Sequence, residues 1–456
     1  MELRPRCLCY HRAEVTIRPA SDRALYLVFG EEISAEMHRA VVRATRALEG
    51  VRGLRNLHPG YASVLVDFDP RLLTHGQAAA LIEETLRRHR DDPAPEPRLV
   101  EIPVVYGGEC GPDLADVARH TGLAPERVIE LHAAAPVRSC GRAAALVAHG
   151  RPGPLHPGPG GALLNRLHVI SPGFLTTVQD LGRFGWAHFG ISASGAADPV
   201  AFRAANLLVG NQENAPALEM TLSGGEFAFE RAAVVAVAGS DFSSPVPLWQ
   251  AMEVAGGASL RFGLARGGAR CYLAVRGGLD VPLAMGSASV HVMTGVGGRP
   301  LRKGDVLAVG DAAVRRPRPP AHNPPVYPGT ALLRATPGPQ AHLFGGELYD
   351  AVYTASEASN RMGIRLKGPA LAAPAGGMIS EGVALGAVQA PPDGQPIILF
   401  VEHQTSGGYP KPANVISADF RQLGQIRPRD AVRFERTTME VAVELLRAQE
   451  EWLLKL

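Results

Sequence analysis

Ile397-Ile398-Leu399-Phe400-Val401-Glu402-His403-Gln404-Thr405-Ser406-Gly407-Gly408-Tyr409-Pro410-Lys411 sets an apolar run directly against polar and turn-forming residues. A short apolar run bounded by turn residues predicts a buried strand, and its polar continuation predicts a loop held at the strand end. The same texture recurs on both sides, in Val234–Ala238, Cys271–Val275, Asp305–Val309 and Ala331–Ala335, with Gly-rich turns between. Such spacing from Leu167 onward predicts a mainly β region of barrel or sandwich units. The Pro-rich segment Arg315–Pro328 divides it into halves at 165–318 and 326–456, and a helix over Met439–Leu454 closes the chain.

Upstream the pattern alternates. Ala24–Phe29 and Tyr61–Phe68 read as strands. Ser34 can cap a helix carrying Met37, Val41, Thr45 and Leu48 on one face, and a second amphipathic helix runs from Thr74 to His89. Residues 1–92 are therefore an α+β module. After the charged linker Asp91–Pro97, a strand over Leu99–Tyr106 and helices over Pro112–His120 and Pro125–Ala133 fill 98–136. Residues 137–164 lose all hydrophobic period, end in alternating Pro and Gly, and read as a tether.

The bulk numbers narrow the function. The 456 residues carry 46 Lys+Arg against 44 Asp+Glu, a net charge of +2, which does not suit a nucleic-acid partner. Gly (51) and Pro (38) exceed ordinary usage without a collagen period, which favours many turns. No apolar window is long enough for a membrane span, and Met1–Arg12 lacks the apolar core of a secretory signal, so a cytoplasmic location is expected. Cys7, Cys9, Cys110, Cys140 and Cys271 have no paired spacing, so neither a disulfide framework nor a metal site is expected. None of the four lysines, Lys303, Lys367, Lys411 and Lys455, follows a Met, so no covalent biotin is expected on this chain.

Three clusters combine polar groups with Gly-imposed turns. The first contains Gln179, Asp180 and Arg183 and runs on to Ser194 and Asp198. Asp180 and Arg183 stand three apart and read either as a local ion pair or as part of an anion or carboxamide clamp. Asp198 before Pro199 also reads as a helix N-cap. Gly190–Gly195 lacks the second Gly of a nucleophile elbow, because Ser194 stands there. The second cluster, Asn360-Arg361-Met362-Gly363, is either a turn with a surface Arg or a fork for carboxylate or phosphate. The third joins Gln389 to Glu402, His403, Gln404, Thr405, Gly407, Gly408, Tyr409 and Lys411. His403 could move protons and Lys411 could stabilise an oxyanion, unless the loop is simply a satisfied polar hairpin.

In these clusters GFLTTVQDLGRFGWAHFGISASGAADPVAFRAANLLVGN, SNRMGIRLKGP, SEGVALGAVQAPPDGQPIILF and QTSGGYPK resemble the C subunit of the prokaryotic 5-oxoprolinase, also called KipA or allophanate hydrolase subunit 2. That family is related to the carboxyltransferase part of urea amidolyase. IRPASDRALYLVFG, GYASVLVDFDP and EIPVVYGGECGPDLADVARHTGLAPERVIELH resemble the B subunit of that enzyme, also called KipI or allophanate hydrolase subunit 1. The resemblance implies cyclophilin-like β-barrel subdomains and a natural fusion of a KipI-like part to a KipA-like part. KipI relatives continue past the position of His132 into a barrel that is missing here, so 98–136 is read as its remnant. Ser192-Ala193 stands where relatives usually carry prolines, and Asn360 where they often carry Asp.

The implied reaction is ATP-dependent opening of the 5-oxoproline lactam to glutamate, with ATP and Mg2+ as cofactors. The implied partner is a protein like the A subunit of 5-oxoprolinase, with an intact KipI-like protein or a second copy of this chain as further candidates. In that reading Arg183 and Arg361 hold carboxylate or phosphate, and Gln179 and Gln404 hold the amide. Lys411 meets the oxyanion, and His403 or Asp180 moves protons. Two alternatives are a biotin-dependent carboxyltransferase acting on urea-like amides and a non-enzymatic regulator of a histidine kinase.

Overall fold

A computed structural model describes residues 13–93, 104–108, 111–134, 165–311, 314–327, 329–372 and 378–456, together with the backbone of 6–10. The expected tether at 137–164, most of the strand expected over Leu99–Tyr106, and the side chains of Cys7 and Cys9 lie outside the described residues.

The N-terminal module is a five-stranded antiparallel sheet in the order Arg6–Tyr10, Ala13–Ser21, Ala24–Val28, Ser63–Phe68, Leu54–Pro59. Helices Ala35–Leu48 and His75–Arg88 cover one face. Ser34 caps the first by accepting from the Met37 N–H, and Thr74 with Gln77 forms a capping box on the second. Leu25 and Leu27 point to these helices, while Ala24 and Tyr26 point the other way, into a cluster with Leu65 and Ala384. Both faces are thus buried, which is why the strand reads as a continuous apolar run rather than an alternating one. Helices Leu114–Thr121 and Pro125–Ala134 pack on each other, and Ala118 is the buried residue between them.

In the first C-terminal half two five-stranded sheets stack face to face. One runs Ala251–Val254, Ala233–Asp241, Arg266–Val275, Ala217–Thr221, Leu175–Gln179. The other runs Ser259–Arg261, Glu226–Phe229, Arg166–Ser171, Val306–Val309, Leu279–Asp280. Val178, Leu218, Phe227, Val235 and Leu273 fill the space between. Helix Pro199–Leu208 packs on the outer face of the first sheet, against Ala236, Ala238 and Ala274.

The second half is a closed barrel of seven strands: Thr330–Pro337, Ala413–Val415, Ala387–Gln389, Ile397–Leu399, Gly363–Lys367, Val352–Ala355 and Ala431–Arg436. It is sealed by parallel pairing of Ala431–Arg436 with Thr330–Pro337. The strand from Ile397 ends at Leu399, two residues before the apolar run does. Beyond it the Phe400 and Glu402 N–H groups turn to the carbonyls of Met362 and Arg361. That switch carries the loop 402–411 towards the first half. A two-stranded ribbon, Glu381–Gly382 with Ser406–Gly407, stands outside the barrel.

Candidate functional site

The loop after Phe400 distributes three consecutive side chains to three different neighbours. Glu402 turns into the seam between the C-terminal halves, where its Oε1 accepts from Arg361 Nε and its Oε2 from the Val292 N–H at 3.2 Å. His403 stacks on His58 of the N-terminal module, with ring centroids 6.3 Å apart. Gln404 stays in the barrel and donates to Gln389 Oε1 at 3.3 Å.

Arg361 is no surface turn residue. It is buried, with Nη1 2.5 Å from Glu219 Oε1 and Nη2 2.6 Å from the Gly195 carbonyl. Burial works against its charge, yet Glu219 and then Glu402 outweigh that and raise its pKa. Its fork is therefore occupied by protein, which corrects the expectation that it clamps a ligand. Glu219 itself was missed from the sequence, although a carboxylate between Leu218 and Met220 in a wholly buried strand is a readable sign of a buried pair.

Asp180 and Arg183 do not pair with each other through hydrogen bonds. Asp180 accepts from the hydroxyls of Ser287 (2.7 Å) and Ser289 (2.6 Å) and from the N–H groups of Gly182 (2.8 Å) and Ala288 (2.7 Å). Three of these donors meet Oδ1 and one meets Oδ2, so Asp180 fixes the 287–289 segment. Asp198 accepts two donors on each oxygen. Its Oδ1 caps the helix at Val200 and Ala201, and its Oδ2 accepts from Tyr327 (2.7 Å) and Gln425 (2.8 Å).

Arg183 differs. Its backbone N–H is tied to the Ala193 carbonyl at 2.8 Å and Nη2 donates to the Ser289 carbonyl, but Nε and Nη1 are buried without a partner. Burial lowers its pKa, so this guanidinium has much to gain from an anion. Beside it, Gln179 Nε2 donates to Thr177 (2.9 Å) and to the Val290 carbonyl (3.1 Å), leaving Oε1 unpartnered. Ser194, at a φ of 57°, donates to the same carbonyl at 3.2 Å. The Ser192 hydroxyl is also buried and unpartnered. The segment Ser289–Val290 thus gathers unmet donors and an unmet acceptor, which are costly when buried and otherwise rare.

A second cluster centres on Lys411. Its Nζ is 2.8 Å from Glu381 Oε1 and 2.9 Å from the Tyr409 carbonyl, and the side chain is 1% exposed. Gln340 braces both partners, donating to Glu381 at 2.8 Å and accepting from the Lys411 N–H at 3.1 Å. Burial lowers the Lys411 pKa while Glu381 opposes it. Gln389 Nε2 is unpartnered, and a Cβ at Gly407 would lie 2.7 Å from it. Gly408 opens next to the Met378 carbonyl, and the Tyr409 side chain is exposed. The Thr405 carbonyl accepts from the Val383 N–H and faces His58 Nδ1, each at 3.2 Å. His403 is pushed down to about 4, first by burial and then by the neighbouring His58. With Nδ1 2.6 Å from the Gln404 carbonyl it is a neutral ring near neutral pH, not the acid/base expected there.

The sequence matches the family model of the carboxyltransferase domain, subdomains A and B, over 189–436, and subdomains C and D over 15–145. The chain belongs to the carboxyltransferase-domain family. Within it, residues of this chain are 39% identical over 299 positions to the C subunit of the Escherichia coli 5-oxoprolinase, spanning 63% of this chain and 96% of the relative. Another stretch is 34% identical over 128 residues to the B subunit of the Bacillus subtilis 5-oxoprolinase, 25% of this chain and 53% of the relative. The chain therefore spans about half the length of that second relative. Among solved structures, TTHA0988 superposes with a TM-score of 0.76 at 31% identity, covering 91% of this chain and 99% of that one. The Kluyveromyces lactis urea carboxylase gives 0.59 at 31% identity, covering 63% and 29%.

Proposed function

We propose that this chain is the lactam-binding component of a 5-oxoprolinase, working in the cytoplasm with a separate protein like the A subunit of that enzyme. No helix among the described residues is long and apolar enough to cross a membrane. The observation that carries the reading is the set of unmet groups around Ser289–Val290. Arg183 Nε and Nη1 offer N–H donors to an anionic group, and Gln179 Oε1 offers an acceptor to a lactam N–H. 5-Oxoproline carries a carboxylate beside a lactam N–H, the complement of that set.

In the reaction, water adds to the lactam carbon, the C–N bond breaks, and nitrogen takes a proton to give glutamate. Lys411 is assigned to the developing oxyanion, with Glu381 holding its ammonium in place. Gln389 and Gln404 orient the amide. We assign the ATP and Mg2+ of the implied reaction to the partner protein. Arg361 is already matched to two carboxylates, and among the described residues no group of three or more His, Cys, Asp or Glu could hold a metal ion by itself.

Arg183→Ala, assayed for 5-oxoproline consumption with its partner proteins, is expected to raise KM about ten-fold or more, since a charge-assisted pair is worth ~1.5–3 kcal/mol. An unchanged KM in a folded variant removes Arg183 from the site. A second reading, carboxyl transfer to a urea-like amide, draws support from the family itself. It needs biotin carried on another chain, because no lysine here follows a Met. Co-purification of a streptavidin-reactive partner, with no 5-oxoproline turnover, would favour it.

A further inference from the structure

The N-terminal module reaches the Lys411 cluster around His58. His58 Nε2 lies 3.1 Å from Asp67 Oδ2, and Nδ1 lies 3.2 Å from the Thr405 carbonyl. A carbonyl oxygen can only accept. Asp67, whose pKa His58 and Arg23 hold low against the effect of burial, is an ionised acceptor as well. Each ring nitrogen thus faces an oxygen acceptor, and the buried ring is held between Asp67 and the Thr405 carbonyl and aimed at the ribbon. Around it the module makes two more hydrogen bonds, one to the ribbon and one to the residue just before it. Tyr26 donates to the Gly382 carbonyl at 2.5 Å, and the Tyr61 N–H donates to the Ser380 carbonyl at 3.3 Å. Gly60 and Gly382 allow the approach, because a Cβ on Gly60 would lie 2.7 Å from the Ser380 oxygen and one on Gly382 would lie 2.4 Å from the His58 oxygen. The ribbon carries Glu381, the carboxylate against which Lys411 Nζ is held.

We propose that His58, fixed by Asp67, is a positioning residue that locks the Glu381–Gly382/Ser406–Gly407 ribbon and so sets the Glu381–Lys411 pair from the N-terminal module. The module thereby acts as a built-in activating part of the C-terminal site, not as a separate binding domain. His58 touches no reacting atom in this scheme and works through the Thr405 carbonyl. The functional side of the inference rests on the assignment of Lys411 to the oxyanion, whereas its structural side does not.

The test uses the whole chain and its few lysines. Reductive methylation with 13C-formaldehyde is expected to label Lys303, Lys367 and Lys455 readily and Lys411 slowly, since Lys411 is 1% exposed. In His58→Ala the Lys411 signal should label about ten-fold faster or more, as local opening of the ribbon exposes it, while the other three rates hold. Asp67→Asn should give a smaller acceleration, because the ring keeps its place but loses its anchor. With partner proteins present, kcat should fall and KM for 5-oxoproline should hold, since Arg183 is untouched. A His58→Ala protein that melts cooperatively and still protects Lys411 overturns the proposal. A protein whose wild type turns over no 5-oxoproline, yet whose Lys411 is released by His58→Ala, sinks the lactam reading and leaves the positioning role standing.

Discussion

Truncating Arg361 to alanine would leave the carboxylates of Glu219 and Glu402 facing each other in a water-poor seam. Removing one partner of a buried pair costs ~3–5 kcal/mol, so Arg361→Ala should show a clearly lowered urea midpoint, with any activity loss following from unfolding. Arg183→Ala should change the midpoint little, because two of its donors have no protein partner to lose. His403 gives a pH signature. Its folded ring stays neutral until about pH 4, while an unfolded chain takes up that proton near 6.5. Between those values the unfolded state binds the extra proton, so stability is full above pH 6.5 and falls by ~3 kcal/mol on the way to pH 4. His75 and His291 are shifted the same way by burial, so the His403 share is the difference from His403→Gln, whose profile should be flatter in that window. The residue types were legible in the sequence and their partners were not. Arg361 read either as a surface turn residue or as a ligand fork because the carboxylates that bury it come from 142 and 41 positions away.

At the scale of elements, caps and apolar periods were readable because they are local. Ser34, Thr74, Asp198 and the closing helix at Met439–Lys455 fall where their side chains dictate. The strand Leu54–Pro59 was hidden, since its inward residues include Asn56 and His58, buried polar groups that serve the docking surface and break the apolar pattern. Asn56 accepts from the Gly185 N–H at 2.9 Å, and Arg71 reaches Glu213 at 2.7 Å, so the module grips the first half as well as the barrel. Gly60→Ala tests this contact. Its Cβ would strike backbone oxygen at 2.7 Å, which no side-chain rotation relieves. Faster amide exchange at Ser380–Gly382 and Thr405–Gly407, with the helices of the module unchanged, is the expected result. Unchanged exchange there would show that the backbone yields elsewhere.

On the whole-molecule scale, an α+β module and two β-rich halves could be predicted from texture alone. The placement of the module across the seam could not, because it depends on contacts such as Asn414 to the Ala20 carbonyl (2.6 Å) and Ser417 to Asp22 (2.8 and 2.9 Å), which join residues nearly four hundred positions apart. The barrel has a consequence for how the molecule is made. Its seam pairs Thr330–Pro337 with Ala431–Arg436, the first and last strands of that half. During synthesis the earlier strand waits with both edges unpaired, because its other partner, Ala413–Val415, is also made late. An open edge invites pairing with another nascent copy. Slowed translation between these two strands should therefore lower the soluble yield, and a holdase that shields the waiting edges should restore it.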